Sequence, residues 1–394
     1  MKKIFVIAGE ASGDYLGCWL MRDITQILQT NPNSNQNPDV EFIGVGGTNM
    51  QKVGLKQIFS VDELSIIGIW EIIGKIFHVK RLIKKTVDAV RFHQPDVVVT
   101  IDSSGFTHRV NKKLKKCANS KHIPIIHYVA PPVWAWRGWR AKSMHKFIDK
   151  LLVLLPFEEE LFTKHHLETV FVGHPIASDP SFDPPTETEK ADFLKKIGIA
   201  SADISGVKIV TLLPGSRKSE IDAHLPVMSE FARMMIEKYE NVKFIIPTTE
   251  TMKNYVDSSV IDWATQPFVF SSVAEKNLAY HVSDVAVAAS GTVTLELART
   301  GLPAVIIYKT SAITAALVKH LIKIQHVCLI NIIAGREIVL ELLQEKCTAE
   351  NIFSNVVRLL ETESGEQQKR SFAAVIESLE APEQWGAAAE VLWE

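Results

Sequence analysis

The apolar positions of this chain fall into short runs, each closed by a Gly- or Ser-rich turn and followed by helical spacing. The stretch Asp284-Val-Ala-Val-Ala-Ala-Ser-Gly-Thr-Val-Thr-Leu-Glu-Leu-Ala carries the pattern most plainly. Val285 to Ala289 predicts a buried strand. Ser290, Gly291 and Thr292 predict the turn. Val293, Leu295, Leu297 and Ala298 predict a helix to about Thr300, stopped by Gly301 with Pro303 beyond. Such a turn leaves backbone N–H groups free at a helix N-terminus, where an anion is favoured. Glu296, one turn inside, is placed to accept hydrogen bonds from ribose hydroxyls. An ordinary capped helix is the alternative for this stretch alone. Val210-Thr-Leu-Leu followed by Pro214-Gly215-Ser216-Arg217-Lys218 repeats the design, and so does Ile4-Phe-Val-Ile-Ala followed by Gly9-Glu-Ala-Ser-Gly-Asp. Three such units predict a cleft lined by helix N-termini, suited to a diphosphate.

The alternation of strand and helix runs through both halves, an α/β pattern with parallel sheets. Further strands are expected at Val40 onward, Asp96 to Asp102, Ile125 to Val129, Leu151 to Leu155, 208–213, 242–246, 267–270, 285–289 and 304–308. The G-x-G-x-x-G spacing is missing after the first strand, and Gly44-Val-Gly46-Gly47 lacks its third glycine. A phosphate loop of the G-x-x-x-x-G-K-[ST] type is also absent, and no D-x-D pair occurs to bridge a divalent metal. Residues 173–187 hold four prolines and read as an interdomain linker. The expected division is therefore 1–172, a linker at 173–187, 188–360, and a helical tail at 361–394.

Three stretches fit neither strand nor ordinary helix. Ile66 to Phe77 has ten apolar or Gly residues in twelve, and Lys80, Arg81, Lys84 and Lys85 follow. It reads as an interfacial helix, with Ile69, Trp70, Ile72, Ile73, Ile76 and Phe77 toward lipid, and equally as a core helix under a sheet. Each basic residue near an anionic leaflet is worth roughly 1 kcal/mol. Ala130 to Arg140 packs three Trp, two Arg and a Pro-Pro pair into eleven residues, which suits a loop over a ligand. Leu329-Ile-Asn-Ile-Ile-Ala-Gly-Arg-Glu sets Asn331 and Arg336 in an apolar context, again suggesting a ligand-facing loop. Asp102 closes a buried strand, where a carboxylate is either a general base or a helix N-cap.

Length and composition narrow the class. The chain has 394 residues, enough for two domains, and an ordinary balance of 46% hydrophobic and 22% charged residues. Its four cysteines stand apart, which fits a reducing compartment rather than a disulfide framework or zinc site. The opening Met-Lys-Lys-Ile-Phe-Val-Ile-Ala enters a strand directly, and Glu10 interrupts any signal-peptide core, so a cytoplasmic protein is expected. The net charge of −2 conceals an asymmetry. Residues 1–172 carry 23 Lys and Arg against 16 Asp and Glu, while the remainder carries 20 against 29. Six Lys or Arg and no acid between Arg109 and Lys121 add to the basic half. That half is suited to an anionic membrane surface; solvated faces are the alternative. No nucleic-acid reading motif is present.

Six segments together resemble the lipid-A-disaccharide synthase family: Gly9-Glu-Ala-Ser-Gly-Asp, Val129-Ala-Pro-Pro-Val-Trp-Ala-Trp, Phe171-Val-Gly-His-Pro, Leu213-Pro-Gly-Ser-Arg, Ala289-Ser-Gly-Thr-Val-Thr-Leu-Glu and Asn331-Ile-Ile-Ala-Gly-Arg-Glu. They run in family order over nearly the whole chain. The resemblance implies a GT-B glycosyltransferase, inverting and metal-independent, with two Rossmann-like domains facing a central cleft and no cofactor. It implies that UDP-2,3-diacylglucosamine is joined to 2,3-diacylglucosamine 1-phosphate (lipid X), giving a β(1→6) lipid A disaccharide phosphate and UDP. Asp102 matches the proposed family base. Gly215, Ser216, Arg217, Ser290, Gly291, Thr292, Glu296, Asn331 and Arg336 would make the UDP pocket. Glu10, Ser12, Asp14 and His127 would line the acceptor side. The protein would sit peripherally on the cytoplasmic face of the inner membrane, its tail packing on the first domain or exchanging with a partner copy in a homodimer. Where the family commonly has Asp-[Ala/Ser]-Pro-Asp-Phe, this chain has Asp102-Ser-Ser-Gly-Phe, a change that bears on loop rigidity and acceptor handling. A UDP-sugar epimerase of the same fold and a non-catalytic acyl-sugar-binding membrane protein are the competing readings. A nicotinamide dehydrogenase is disfavoured by the missing glycine fingerprint.

Overall fold

Val97 to Ile101 are buried on every side, as a strand must be when helices cover both faces of a parallel sheet. The computed structural model describes residues 2–30, 40–65, 72–135, 138–199, 206–310 and 325–380; the side chains of 28–30, 65 and 72–76 are also outside the description. Among the described residues the first unit holds seven parallel strands: β1 (Lys2–Ala8), β2 (Val40–Gly46), β3 (Lys56–Ser60), β4 (Val97–Ile101), β5 (Ile125–Tyr128), β6 (Lys150–Val153) and β7 (Glu168–Phe171). Their order across the sheet is β3-β2-β1-β4-β5-β6-β7. The two-residue period of a strand sends Ile4, Val6 and Ala8 to one face, against Leu20, Met21 and Ile24 of the helix Ala11–Thr30. Phe5 and Ile7 go to the other, against Leu82 and Ile83 of Ile72–His93 and Val110 and Leu114 of Thr107–Lys116. Each of these side chains larger than Ala8 contributes about 1.5–3 kcal/mol on burial.

The second unit repeats the plan with β8 (Lys208–Leu213), β9 (Val242–Pro247), β10 (Phe268–Phe270), β11 (Val285–Ala289), β12 (Ala304–Tyr308) and β13 (Glu341–Leu343). Their order is β10-β9-β8-β11-β12-β13, all parallel. Val210 and Leu212 pack under Ile221, Leu225 and Met228 of the helix Lys218–Lys238 and under Ile352 and Val356 of Ala349–Glu361. Ile209 faces Phe193 and Leu194 of the helix Glu187–Lys196. Both sheets are doubly wound, so each has a switch point where strand order reverses, and a crevice opens beyond the carboxyl ends there. In the first unit it lies between β1 and β4, and in the second between β8 and β11. The strand–turn–helix runs of the sequence fall on these strands.

The units divide after Pro175, and the chain rejoins the first at Leu379, whose carbonyl accepts from the His174 N–H at 2.8 Å. Two expected boundaries move. Much of the proline-rich stretch is not a loose linker. Asp179 accepts from Ser181 N to close a turn, Phe182 is buried, and Asp183 binds Arg299 and Asn277 within the second unit. The expected tail does not begin at 361. The helix Ser364–Ser378 packs on the second unit, where the Gln368 amide accepts from Ala304 N and donates to Ala304 O. Residues 381–394, Ile69, Trp70, Trp136 and Arg137 lie outside the described residues, as do the side chains of Ile72, Ile73 and Ile76.

Candidate functional site

The second unit's switch point forms a cleft of about 400 Å³. One wall is the turn after β8. Gly215 there has φ +117, and a Cβ on it would meet Glu220 at 2.6–2.7 Å, so this position needs glycine. Below the turn, buried His224 donates from Nδ1 to Pro214 O (2.7 Å) and accepts the Lys309 N–H on Nε2 (2.9 Å), tying it to the end of β12. Burial holds this imidazole below its ordinary pKa, which keeps it in that neutral tautomer. Glu220 accepts from the N–H groups of Ser216 and Arg217 at 3.1 and 3.3 Å and from Arg217 Nη1 at 2.9 Å. The Arg217 side chain is 79% exposed, so this pair is a weak surface bridge and the guanidinium is free to take an anion.

The opposite wall is the turn after β11. Ser290, Gly291 and Thr292 line the cleft and lead into the helix Val293–Thr300. The Thr294 and Leu295 N–H groups bond back to Gly291 O (3.2 Å) and Thr292 O (3.0 Å), so this end offers an anion the helix dipole more than free donors. Gly301 ends it in the left-handed conformation, as its sequence position predicts. Glu296 reaches into the cleft from this helix. Its Oε1 and Oε2 accept from Lys276 Nζ at 2.9 and 2.8 Å, and Oε2 also accepts from the Tyr280 hydroxyl at 2.9 Å. The floor adds Thr248 at the end of β9, whose buried hydroxyl has no partner. Sequence reading missed Lys276, Tyr280 and Thr248. Only the four-residue spacing of Lys276 and Tyr280 on one helix face hinted at the first two.

Two residues assigned to this pocket from the sequence lie elsewhere. Asn331 is fully buried and all its polar positions are spent. Nδ2 donates to Val339 O and to Glu341 Oε1, both at 2.7 Å; Oδ1 accepts from Ile338 N (2.7 Å) and Val339 N (2.9 Å). It pins the loop before β13 and does not line the cleft. Arg336 is exposed and borders a different hollow, beside Arg358 and Gln368.

In the first unit the switch point is crowded. Gly9 touches the β4 turn so closely that a Cβ on it would lie 2.2 Å from Ser103 Cβ. Asp102 and Ser103 both have left-handed backbones (φ +47 and +43), and Val129 beyond β5 has φ +77. Left-handed conformations cost a non-glycine residue of order 1–3 kcal/mol and collect at functional sites. The Thr107 hydroxyl donates to Asp102 O at 2.7 Å and braces the turn. The half-buried Asp102 carboxylate accepts from its neighbour Ser103 N (2.6 Å) and, at 3.4 Å, from the Ser12 hydroxyl. It is not a helix cap, because the helix Thr107–Lys116 starts after Phe106. Glu10 and Ser12 are exposed at the start of the helix Ala11–Thr30.

Asp14 and His127 depart from the expected acceptor side. Asp14 is buried and accepts from Gly47, Asn49 and Met50 N–H at 2.6–3.1 Å, capping the short helix Thr48–Lys52. His127 sits mid-strand, fully buried, with Nδ1 2.8 Å from the Thr100 hydroxyl and its ring against His108. Burial pushes His127 well below the usual imidazole pKa and His108 down to about 4. Along Ile72–His93, Phe77, Lys80, Arg81, Lys84 and Lys85 are exposed, with Lys80 over the Phe77 ring at 5.7 Å. Among the described residues no helix is long and apolar enough to cross a membrane.

Residues 4–390 match the model of the family described as Lipid-A-disaccharide synthetase. The chain belongs to that family. Lipid-A-disaccharide synthase of Granulibacter bethesdensis is 34% identical over 386 residues, covering 96% of this chain and 93% of the relative. The Rickettsia prowazekii enzyme is 37% identical over 371 residues, covering 94% and 91%. Among solved structures, UDP-GlcNAc 2-epimerase from Neisseria meningitidis bound to UDP-GlcNAc aligns over 100% of this chain and 98% of that one, with a TM-score of 0.61 at 12% identity. A putative UDP-N-acetylglucosamine 2-epimerase from Listeria monocytogenes aligns over 100% and 95%, at TM-score 0.60 and 13% identity. These two likenesses show the fold alone. The family relation makes the chain a GT-B glycosyltransferase of lipid A biosynthesis, so the epimerase alternative falls away.

Proposed function

We propose that the chain condenses UDP-2,3-diacylglucosamine with 2,3-diacylglucosamine 1-phosphate, and that the cleft between β8 and β11 is the donor site. The observation that carries this reading is the cleft's composition. A helix N-terminus, an exposed arginine and a carboxylate held ready for hydroxyl donors surround a space of diphosphate scale. The diphosphate lies at the positive end of the helix that follows Thr292 and pairs with Arg217. Glu296 accepts from ribose. Asp102 takes the proton from the acceptor's 6-hydroxyl as that oxygen bonds to the anomeric carbon. The bond from that carbon to the UDP oxygen breaks on the opposite face, which inverts the centre. The electron pair leaves with UDP, where the positive helix end and Arg217 stabilise the growing charge. Glu10 and Ser12 serve the acceptor side. Phe77 and the basic residues after it rest on an anionic leaflet at the cytoplasmic face of the inner membrane, where two acylated substrates reside.

The test is Asp102→Ala. General-base loss costs about 10²–10⁴ in turnover. Product formation should fall by that range while UDP binds as tightly as to the parent. Full activity in the variant excludes Asp102 as the base.

A further inference from the structure

Glu296 is not loose in the cleft: three bonds hold it, and both donors come from the helix Val273–Val282. The last torsion of a glutamate is broad, so an unsupported carboxylate plane rotates. Here the Lys276 ammonium spans both oxygens and the Tyr280 hydroxyl fixes one of them. Tyr280 is 1% exposed. A phenylalanine would fill the same space, so what tyrosine adds at this position is the hydroxyl. Oε2 is saturated by Lys276 and Tyr280, whereas Oε1 keeps acceptor capacity on a side chain that is 19% exposed to the cleft.

We propose that Tyr280, with Lys276, is a positioning residue for donor recognition, orienting the Glu296 carboxylate so that it reads the ribose hydroxyls of the nucleoside diphosphate. This rests on the assignment of Glu296 to ribose above. Burial pushes the Tyr280 phenol well above its ordinary pKa, so it remains a donor throughout the neutral range. The role predicts a specific signature. A residue that only fills the core alters stability but leaves ligand preference alone. A residue that aims Glu296 alters the preference for a ligand with ribose hydroxyls over one without.

The experiment is calorimetric titration of the full-length chain with UDP and with 2′,3′-dideoxy-UDP, for the parent, Tyr280→Phe, Lys276→Gln and Glu296→Ala. The ratio of the two dissociation constants is taken within each preparation, so a partly unfolded sample does not bias it. Hydrogen bonds to a charged acceptor support a parental ratio on the order of ten to a hundred. Tyr280→Phe should lower it by about threefold to tenfold and Lys276→Gln by a similar factor, and Glu296→Ala should bring it to about one. If Tyr280→Phe and Lys276→Gln keep the parental ratio while Glu296→Ala loses it, the positioning role is wrong and the ribose assignment stands. A parental ratio of one overturns both.

Discussion

Asn331 offers a direct contrast between a structural and a ligand-binding role. Replacing it with alanine removes four hydrogen bonds of 2.7–2.9 Å from a fully buried site. Each is worth about 0.5–1.5 kcal/mol net, and a stranded buried donor or acceptor costs about 1–3 kcal/mol. Ile338 N, Val339 N and Val339 O would lose this partner, and Glu341 would keep its bonds to Val327 N and Cys328 N. The summed loss is about 4 kcal/mol. For a unit of this size each kilocalorie moves the midpoint by about 2–4 °C, so the second unit should melt about 8–16 °C lower. Scanning calorimetry of the full chain reads that shift. UDP titration well below the transition should give a dissociation constant within about twofold of the parent, because no Asn331 atom is left to bind ligand. An unchanged midpoint with UDP affinity reduced tenfold or more would refute this reasoning and return Asn331 to the pocket.

Other outcomes follow from the same geometry. Arg217→Ala should weaken UDP binding by about tenfold, the scale of one charge-assisted pair, with little change in melting because its Glu220 bridge is exposed; calorimetry tests both. His108 and His127 are held neutral when folded, His108 at about 4 by burial and by the charges of Lys112 and Arg140, and His127 by burial and by His108. Their folded pKa values lie below the unfolded value of about 6.5, so their stability is complete above that and is lost as pH falls from about 6.5 toward 4. The drop in melting temperature between pH 7.5 and 5 should shrink in His108→Phe, and an equal drop in both proteins contradicts the assignment. Replacing Lys80, Arg81, Lys84 and Lys85 with Glu should release the protein from anionic vesicles in a flotation assay, since each basic residue contributes about 1 kcal/mol there. Charged residues at Ile69, Ile72 and Ile76 should do the same, and unchanged partition would make that segment core.

Much of the architecture was legible because parallel strands bury both faces and so appear as unbroken apolar runs, as Val97 to Ile101 and Val285 to Ala289 do. The strands that escaped notice, β3, β7 and β13, are short and carry polar residues such as Lys56, Gln57, Glu168 and Glu341. All three stand at sheet edges, where one side lacks a neighbour and the apolar signal thins. The cleft turns were legible because glycine and serine beside a strand end have few other uses. The error at Asn331 has a physical origin. A polar residue in an apolar run signals a partner, and the partner turned out to be the backbone of Ile338 and Val339 rather than a ligand. Asp14 misled in the same way, through the N–H groups of Gly47, Asn49 and Met50. Lys276 and Tyr280 left only their four-residue spacing as a signal, because they act through Glu296 from a helix joined to it only by the fold.

The central claim is the coupling of donor cleavage to disaccharide formation. The most direct measurement supplies the protein with UDP-2,3-diacylglucosamine and 2,3-diacylglucosamine 1-phosphate in detergent micelles and follows UDP and disaccharide phosphate together. Equal amounts of both products, without added metal, are the predicted result, and would show that Ser104 and Gly105 support catalysis in place of the family's Pro and Asp. UDP binding with no disaccharide formed would contradict the account and leave a protein that holds acylated sugars without joining them.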